Sequence, residues 1–205
     1  MEILNPSALE YGVARFTLPG QDECGDDHVL RNSGRAMLFA VVDGVGHGIE
    51  AAAAAKLAAS TLAKSPHEAL HSLVYACHEL LRPTRGVALS LASINLAGGL
   101  MTWLGIGNVQ GVLLRAGTAG RSPHQALLLR AGIVGVQLPA LQQVVLPLAP
   151  GDMLVFATDG IRGSFAESLS ALEAPQKAAD RILRQYRSGN DDALVFVARF
   201  SGNGL

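Results

Sequence analysis

Two apolar strands of this sequence end in the same dipeptide, Asp-Gly. The segment FAVVDG covers residues 39–44, and VFATDG covers residues 155–160. Continuous apolar runs bounded by glycine are typical of buried strands, and a carboxylate at the end of a buried strand is costly unless a cation meets it. We therefore expect the fold to bring Asp43 and Asp159 to a place where positive charge is available.

Two further acidic pairs lie beside apolar segments, Asp26 with Asp27 and Asp191 with Asp192. If the two Asp-Gly pairs and the two acidic pairs meet in one cleft, their carboxylates repel one another unless divalent ions neutralise them. Ligands that are all oxygen atoms favour Mg²⁺ or Mn²⁺ over zinc. The glycines allow close backbone approach, and the carbonyl of Gly44 is a candidate ligand. The sequence thus predicts a site for two ions, although each Asp-Gly pair taken alone could be a turn.

The order of the elements indicates the fold class. About nine strands are predicted, most of them consecutive, which favours antiparallel sheets over alternating βαβ units. One pair forms a hairpin that turns at Gly98 and Gly99. The predicted strands cover residues 11–18, 36–42, 86–96, 99–108, 110–116, 126–131, 142–148, 152–158 and 192–200.

Helical spacing occurs in two regions. Residues 49–64 are mostly alanine, and small side chains let such a helix lie close to a sheet. The next helix is predicted between Ser65 and Arg82, with Ser65 as N-cap, Pro66 in the first turn and Glu68 completing a capping box. Near the C-terminus, SFAE begins a second helical region whose last helix has its apolar face within residues 178–186. These elements predict an α+β, four-layer αββα sandwich of two antiparallel sheets, each covered by a pair of helices.

Composition excludes several functions. The net charge is −1 with no block of Lys or Arg, which argues against nucleic acid and anionic membranes as partners. No window of about 18 apolar residues predicts a membrane span, and the first ten residues lack leader features, so we expect a cytoplasmic protein. Cys24 and Cys77 lack the paired spacing of a disulfide framework or zinc site, and we expect both to be reduced. With 205 residues, the chain is expected to form one domain over residues 1–205 and to be monomeric.

Four segments resemble, in order, the metal-dependent Ser/Thr phosphatases of the PPM family: FAVVDGVGHG, LGIGNVQGVLL, GDMLVFATDGI and DDALVFV. The DGVGHG and GIGNVQG forms look most like the SpoIIE-type branch and its stressosome feedback phosphatases. The resemblance implies the αββα sandwich with two Mn²⁺ or Mg²⁺ ions in a cleft at one end of the paired sheets.

The same resemblance implies the site residues. Asp43 would bridge both ions, the Gly44 carbonyl would bind one of them, and Asp26, Asp159 and Asp191 would complete the metal ligands, with Asp43 and Asp159 central to catalysis. Water held between two divalent ions has a lowered pKa and can attack phosphorus in line, so no cysteine nucleophile is needed.

Three other residues are expected to lie near the site as alternative ligands or behind the ligands: Asp27, Asp192 and His47. Many members of the family carry a histidine directly after the bridging Asp-Gly pair, whereas Val45 and Gly46 intervene here. The catalytic role of that histidine is therefore not transferred to His47, for which a loop position is expected.

The implied substrates are phosphorylated STAS-domain proteins of the stressosome, whose dephosphorylation would reset a stress signal. The spacing from Gly132 to Gln142 leaves little room for the flap subdomain that helps other members choose substrates. Substrate selection is then expected to depend on the partner protein docking beside the cleft.

Two alternative functions stay open. A phosphatase-like fold could serve as a binding module with weak or no catalysis, although the complete acidic set argues against this. DGVGHG also faintly resembles the adenine-binding box of GHKL-type ATPases, but that box needs glycine two residues after the aspartate, where this chain has Val45.

Overall fold

The computed structural model describes residues 9–34, 36–117 and 124–202. Within these ranges it contains ten strands, three α-helices and one 3₁₀ helix at Gly163–Ser168. The strands are β1 (Leu9–Phe16), β2 (Asp26–Asn32), β3 (Ala36–Gly44), β4 (Val87–Asn95), β5 (Leu100–Ile106), β6 (Gln110–Leu114), β7 (His124–Ala126), β8 (Val144–Pro147), β9 (Met153–Ala157) and β10 (Ala193–Phe200). The α-helices are α1 (Ile49–Lys64), α2 (Leu70–Leu81) and α3 (Pro175–Tyr186).

The strands form two five-stranded sheets, and every pairing is antiparallel. One sheet has the order β1-β10-β9-β6-β7, and the other has the order β2-β3-β4-β5-β8. The predicted hairpin is present as β4 and β5. Strands adjacent in sequence mostly pair with each other, either directly, as in β4 and β5, or across the covering helices, as in β3 with β4 and β9 with β10.

Three apolar clusters hold the layers together. The central cluster lies between the sheets and includes Phe39 and Trp103 from one sheet and Phe156 and Phe196 from the other. A second cluster joins α1 and α2 to the outer face of the β2–β3–β4–β5–β8 sheet. A third packs α3 and Phe165 of the 3₁₀ helix against the other sheet. The predicted αββα sandwich is confirmed, with a 3₁₀ helix as one of the four covering helices.

Two strands differ from the sequence prediction. β2 was not predicted, because its sequence DDHVLRN has few apolar residues and it lies at the edge of its sheet. The predicted strand at 126–131 is wrong for most of its length, since β7 ends at Ala126. Residues 127–131 instead run beside β5 and β6, where Arg130 forms an isolated bridge with Ile106.

The predicted capping box before α2 is also wrong. Ser65 is the C-cap of α1, and α2 begins at Leu70 after an Ala69 N-cap that makes no side-chain hydrogen bond. The Glu68 amide donates to the Ser65 carbonyl at 3.0 Å, which closes a turn between the two helices. The pattern S-x-x-E therefore marks a helix-to-helix turn here.

No helix in the described ranges is long and apolar enough to cross a membrane.

Candidate functional site

The site begins with two aspartates on neighbouring strands. β2 and β3 pair so that Asp26 lies directly opposite Asp43. Phe39 and Val41 of β3 belong to the cluster between the sheets, and Asp43 continues their row because side chains alternate along a strand. Both carboxylates therefore point into the space between the two sheets, at the end of their strands.

The second sheet contributes the other carboxylates. β9 ends at Ala157 and is followed by Thr158 and Asp159, while Asp191 precedes β10. Asp43, Asp159 and Asp191 line the same cleft, which has a volume of about 430 Å³. The remaining lining residues are Val45, Gly46, Ala88, Gly107, Asn108, Ala131, Gly132 and Ile133. Among the residues that the structure describes, three carboxylates and no lysine or arginine thus line this cleft.

Two hydrogen bonds fix the orientation of carboxylates at the site. The Thr158 hydroxyl donates to Oδ2 of Asp26 at 2.8 Å and accepts from the Leu194 amide at 2.8 Å, so β10 and Asp26 are joined through one side chain. The Asn108 side-chain amide donates to Oδ2 of Asp159 at 2.6 Å. In contrast, Oδ2 of Asp43 is buried and has no hydrogen-bond partner.

The carboxylates raise one another's pKa. Burial raises the pKa of Asp43 to about 9, and repulsion from Asp26, Asp159, Asp191 and Asp192 adds to this effect. Burial likewise raises the pKa of Asp26 to about 7, against the stabilising hydrogen bond from the Thr158 hydroxyl. The pKa of Asp159 is also raised, first by burial and then by Asp191. A buried acidic cluster of this kind ionises readily only when a cation enters it.

The donor set fits a divalent cation. All the candidate side-chain donors are oxygens, which suits Mg²⁺ or Mn²⁺, and Oδ2 of Asp43 is a buried oxygen without a partner. Within the described ranges, however, no three His, Cys, Asp or Glu side chains are grouped so that they could together hold one ion. The fit therefore rests on donor chemistry and the unpartnered oxygen rather than on a preformed cage.

The structure separates the members of each acidic pair. Asp27 points away from Asp26 and forms an ion pair with Arg15 at 2.8 Å. Asp192 is buried and accepts hydrogen bonds from the amides of Leu18 and Gly25, both at 2.7 Å. These two carboxylates therefore already have partners within the protein.

His47 does not line the cleft. Its side chain is exposed on the loop between β3 and α1, which agrees with the loop position expected from the sequence.

The glycines of the two Asp-Gly pairs permit close packing of backbones. A Cβ atom at Gly44 would collide with the backbone of Ala51 in α1, and one at Gly160 would collide with the carbonyl of Asp192. Gly44 also donates its amide to the Gly25 carbonyl at 3.0 Å, which ties β3 to the loop before β2. Glycine at these positions thus lets α1 and the start of β10 reach the carboxylates.

Sequence reasoning missed two residues that orient the carboxylates, Thr158 and Asn108. Each lies inside a motif that was quoted for the family resemblance, TDG and GIGN. The available signal was a short polar side chain adjacent to a strand end, but which carboxylate it would contact depends on the packing of the two sheets.

Comparison with known proteins decides the family. The model of the stage II sporulation protein E (SpoIIE) family matches residues 33–201. The chain belongs to the SpoIIE family. The matched range includes Asp43, Asn108, Asp159 and Asp191, so it contains most of the residues of the acidic cleft. The sequence prediction of a PPM-type phosphatase domain of the SpoIIE branch is therefore confirmed at the level of the family.

The relatives of this SpoIIE-family chain include a phosphoserine phosphatase. Phosphoserine phosphatase RsbX of Bacillus subtilis (strain 168) is 26% identical over 101 residues, 49% of this chain and 51% of RsbX, so the match spans about half the length of that relative. A solved structure of RsbX in complex with magnesium superposes with a TM-score of 0.85 at 18% identity, covering 98% of this chain and 99% of that one.

A chain from the bacterial stressosome, a modular system adapted to control secondary messenger signalling, is similar as well. It superposes with a TM-score of 0.85 at 29% identity and covers 93% of this chain and 99% of its own length. Most of the fold is thus shared with this stressosome chain.

Proposed function

We propose that this SpoIIE-family chain is a metal-dependent phosphatase that hydrolyses phosphoserine and phosphothreonine in proteins. One observation carries the proposal: Asp43 has a buried oxygen without a hydrogen-bond partner, and it shares an acidic cleft with Asp159 and Asp191. Leaving such an oxygen unpaired is costly for a structural residue, whereas a ligand that awaits a cation requires it.

The ligands proposed for two Mg²⁺ or Mn²⁺ ions are Asp26, Asp43, the Gly44 carbonyl, Asp159 and Asp191. When bound, such ions would supply Lewis acidity that activates water and offsets the charge of the phosphoryl group. The magnesium complex of RsbX supports the choice of ion by its similarity in fold.

The chain's own contribution is to hold these groups in place. Thr158 holds the Asp26 carboxylate through its donated hydroxyl hydrogen, and Asn108 holds that of Asp159. Thr158 follows β9 and Asn108 precedes β6, two strands of one sheet, whereas Asp26 lies in β2 of the other sheet. The packing of the two sheets therefore sets the spacing of the carboxylates. Rigid strand ends suit a site in which small displacements cost activity.

The proposed substrates are phosphorylated STAS-domain proteins of a stressosome, whose dephosphorylation resets a stress signal. RsbX is a phosphoserine phosphatase, and the stressosome chain shares 29% of its residues with this one, which supports the assignment.

The test is metal-dependent phosphate release. After chelation, the protein should be inactive towards p-nitrophenyl phosphate and a phosphoserine STAS-domain protein, and Mn²⁺ or Mg²⁺ should restore release. Asp43→Asn should lower the restored rate at least about 100-fold, since it removes the proposed bridging ligand. Asp180→Asn, on the exposed face of α3, is the matched control and should behave like the wild type.

Absence of phosphate release by folded, metal-loaded wild-type protein would overturn the proposal. Binding of the STAS-domain protein without turnover would then favour a binding module with a phosphatase fold. Release from p-nitrophenyl phosphate alone would retain the metal-dependent hydrolase and exclude the STAS-domain substrate.

A further inference from the structure

Asn108 lies in the middle of a short connection between the two sheets. Residues 107–109 join β5 of one sheet to β6 of the other. The antiparallel pairing of β5 with β4 ends before this connection, and the pairing of β6 with β9 begins after it. The backbone of Asn108 is therefore placed by the contacts of its neighbours in the chain rather than by strand pairing.

Both neighbours of Asn108 are anchored by hydrogen bonds. On one side, Gly107 donates its amide to the Arg130 carbonyl at 2.9 Å. On the other side, the Ser90 hydroxyl donates to the Val109 carbonyl at 2.7 Å. The connection thus has one anchor on each side of Asn108, and one of the two is a side chain that can be replaced by mutation.

Ser90 is a polar residue in an apolar layer. It is fully buried, and it lies on the face of β4 that carries Ala88, Ala92 and Ile94, members of the cluster between the sheets. Val109 belongs to the same cluster. A buried hydroxyl costs free energy unless it is hydrogen-bonded, and this one finds its partner across the layer, directly before β6 of the other sheet. The bond therefore ties the connection to β4.

A second buried hydroxyl links the sheets in the opposite direction. Thr158 is also fully buried, and its hydroxyl reaches from the end of β9 to the Asp26 carboxylate in β2. Thr158 thus holds a carboxylate directly. Ser90 instead holds the residue after Asn108, and Asn108 donates to Asp159 at 2.6 Å. Each hydroxyl therefore connects the packing of the sheets to one carboxylate of the site.

We propose that Ser90 is a positioning residue of the site, which acts through Asn108 on the Asp159 carboxylate. This inference rests on the proposed phosphatase function, in which Asp159 is an ion ligand. Loss of the Ser90 hydroxyl leaves the Val109 carbonyl without its donor and releases one side of the connection, so Asn108 no longer holds Asp159 in one orientation. Small displacements of a ligand weaken ion binding and slow the reaction.

The test is a double-mutant cycle between Ser90→Ala and Asn108→Ala. Electron paramagnetic resonance of unbound Mn²⁺ measures the dissociation constant of the ion without substrate, and p-nitrophenyl phosphate hydrolysis measures kcat and KM. Ser90→Ala alone should raise the Mn²⁺ constant and lower kcat about threefold each, as expected for one hydrogen bond. The KM should stay within about twofold of the wild type, since the substrate is not contacted. In the Asn108→Ala background, Ser90→Ala should change the Mn²⁺ constant less than about 1.5-fold, because the residue that transmits the effect is absent.

Ser93→Ala is the matched control. Ser93 lies on the same strand as Ser90 but on the outer face of the sheet, where it is partly exposed. This variant should bind Mn²⁺ and hydrolyse p-nitrophenyl phosphate like the wild type. Thermal denaturation with chelator shows that each variant folds, and Ser90→Ala should melt at a lower temperature than Ser93→Ala because a buried carbonyl loses its donor.

Equal effects of Ser90→Ala on the Mn²⁺ constant in the two backgrounds would overturn the positioning role. A lower melting temperature with unchanged Mn²⁺ affinity would also overturn it, since Ser90 would then serve the fold alone. Phosphate release by the wild type would leave the proposed function intact in both cases.

The Mn²⁺ constants also separate the two proposals in the other direction. If the wild type binds Mn²⁺ but releases no phosphate, the phosphatase function fails, whereas loss of the Ser90→Ala effect in the Asn108→Ala background would still support the positioning role. A folded wild type that binds no Mn²⁺ would overturn both proposals.

Discussion

The two acidic pairs at the site use their carboxylates in contrasting ways. In the pair within β2, Asp26 is buried opposite Asp43 and Asp27 pairs with Arg15. In the pair before β10, Asp191 lines the cleft and Asp192 is buried under two backbone amides. In each pair, one carboxylate is bound by groups outside the acidic cluster, whereas the other lies within the cluster and repels its other carboxylates. A carboxylate bound outside the cluster stabilises the fold, whereas the mutual repulsion of the clustered carboxylates favours binding of a cation.

The largest expected effect separates Asp26 from Asp27. Asp26→Asn should lower metal-dependent phosphate release at least about 100-fold, because it removes a proposed ligand. Asp27→Asn should stay within about threefold of the wild type, since it removes only an exposed ion pair with Arg15. Steady-state rates with saturating Mn²⁺ measure both, and similar losses in the two variants would contradict the division within the pair.

The second prediction concerns Asp192 and Asp191. Asp192→Ala should lower the free energy of unfolding by about 2–3 kcal/mol, because the amides of Leu18 and Gly25 lose a charged acceptor. Asp191→Ala should cost less than about 1 kcal/mol, since the side chain is partly exposed. Urea denaturation in the presence of chelator checks this order. A larger loss of unfolding free energy for Asp191→Ala than for Asp192→Ala would contradict the assigned roles.

The third prediction concerns how the free energy of unfolding depends on pH through Asp43. In the folded, metal-free protein the pKa of Asp43 is raised from 3.8 to about 9, so the unfolded state loses this proton at a lower pH than the folded state. The folded state then binds more protons, and the free energy of unfolding must fall as pH rises from about 4 towards 9. Asp43→Asn should remove up to about 4 kcal/mol of this decline between pH 5 and 8.

Thermal denaturation in the presence of chelator measures this effect. The variant is expected to be more stable than the wild type at pH 8 while lacking activity. Identical pH profiles of stability for the two proteins would show that the pKa of Asp43 is not raised in the folded protein.

The smallest expected effect comes from the hydrogen bond between Asn108 and Asp159. Asn108→Ala should lower kcat/KM about threefold to tenfold, since one hydrogen bond to a charged group orients this carboxylate. The midpoint concentration of Mn²⁺ for activation should rise with it, which distinguishes orientation of a ligand from loss of substrate binding. An unchanged midpoint would place Asn108 outside the ion site.

Much of the fold follows from local pattern. The strands with continuous apolar runs, such as β3 and β9, and the alanine-rich helix α1 agree with prediction to within a few residues. β2 was not predicted, because it has few apolar residues and a strand with one solvated face needs them on the other face only. The capping pattern at Ser65 led to a wrong helix start, because the same side-chain types occur in turns and at the first residues of helices.

Apolar periodicity and Asp-Gly pairs depend on neighbours in the chain, so the two sheets, the covering helices and the aspartates at strand ends could be predicted without the structure. Sheet packing, in contrast, selects the member of each acidic pair that joins the cluster, and it brings Thr158 and Asn108 to Asp26 and Asp159. The partners of these carboxylates come from distant parts of the chain, so their charge and hydrogen bonding exist only once the sheets are packed together.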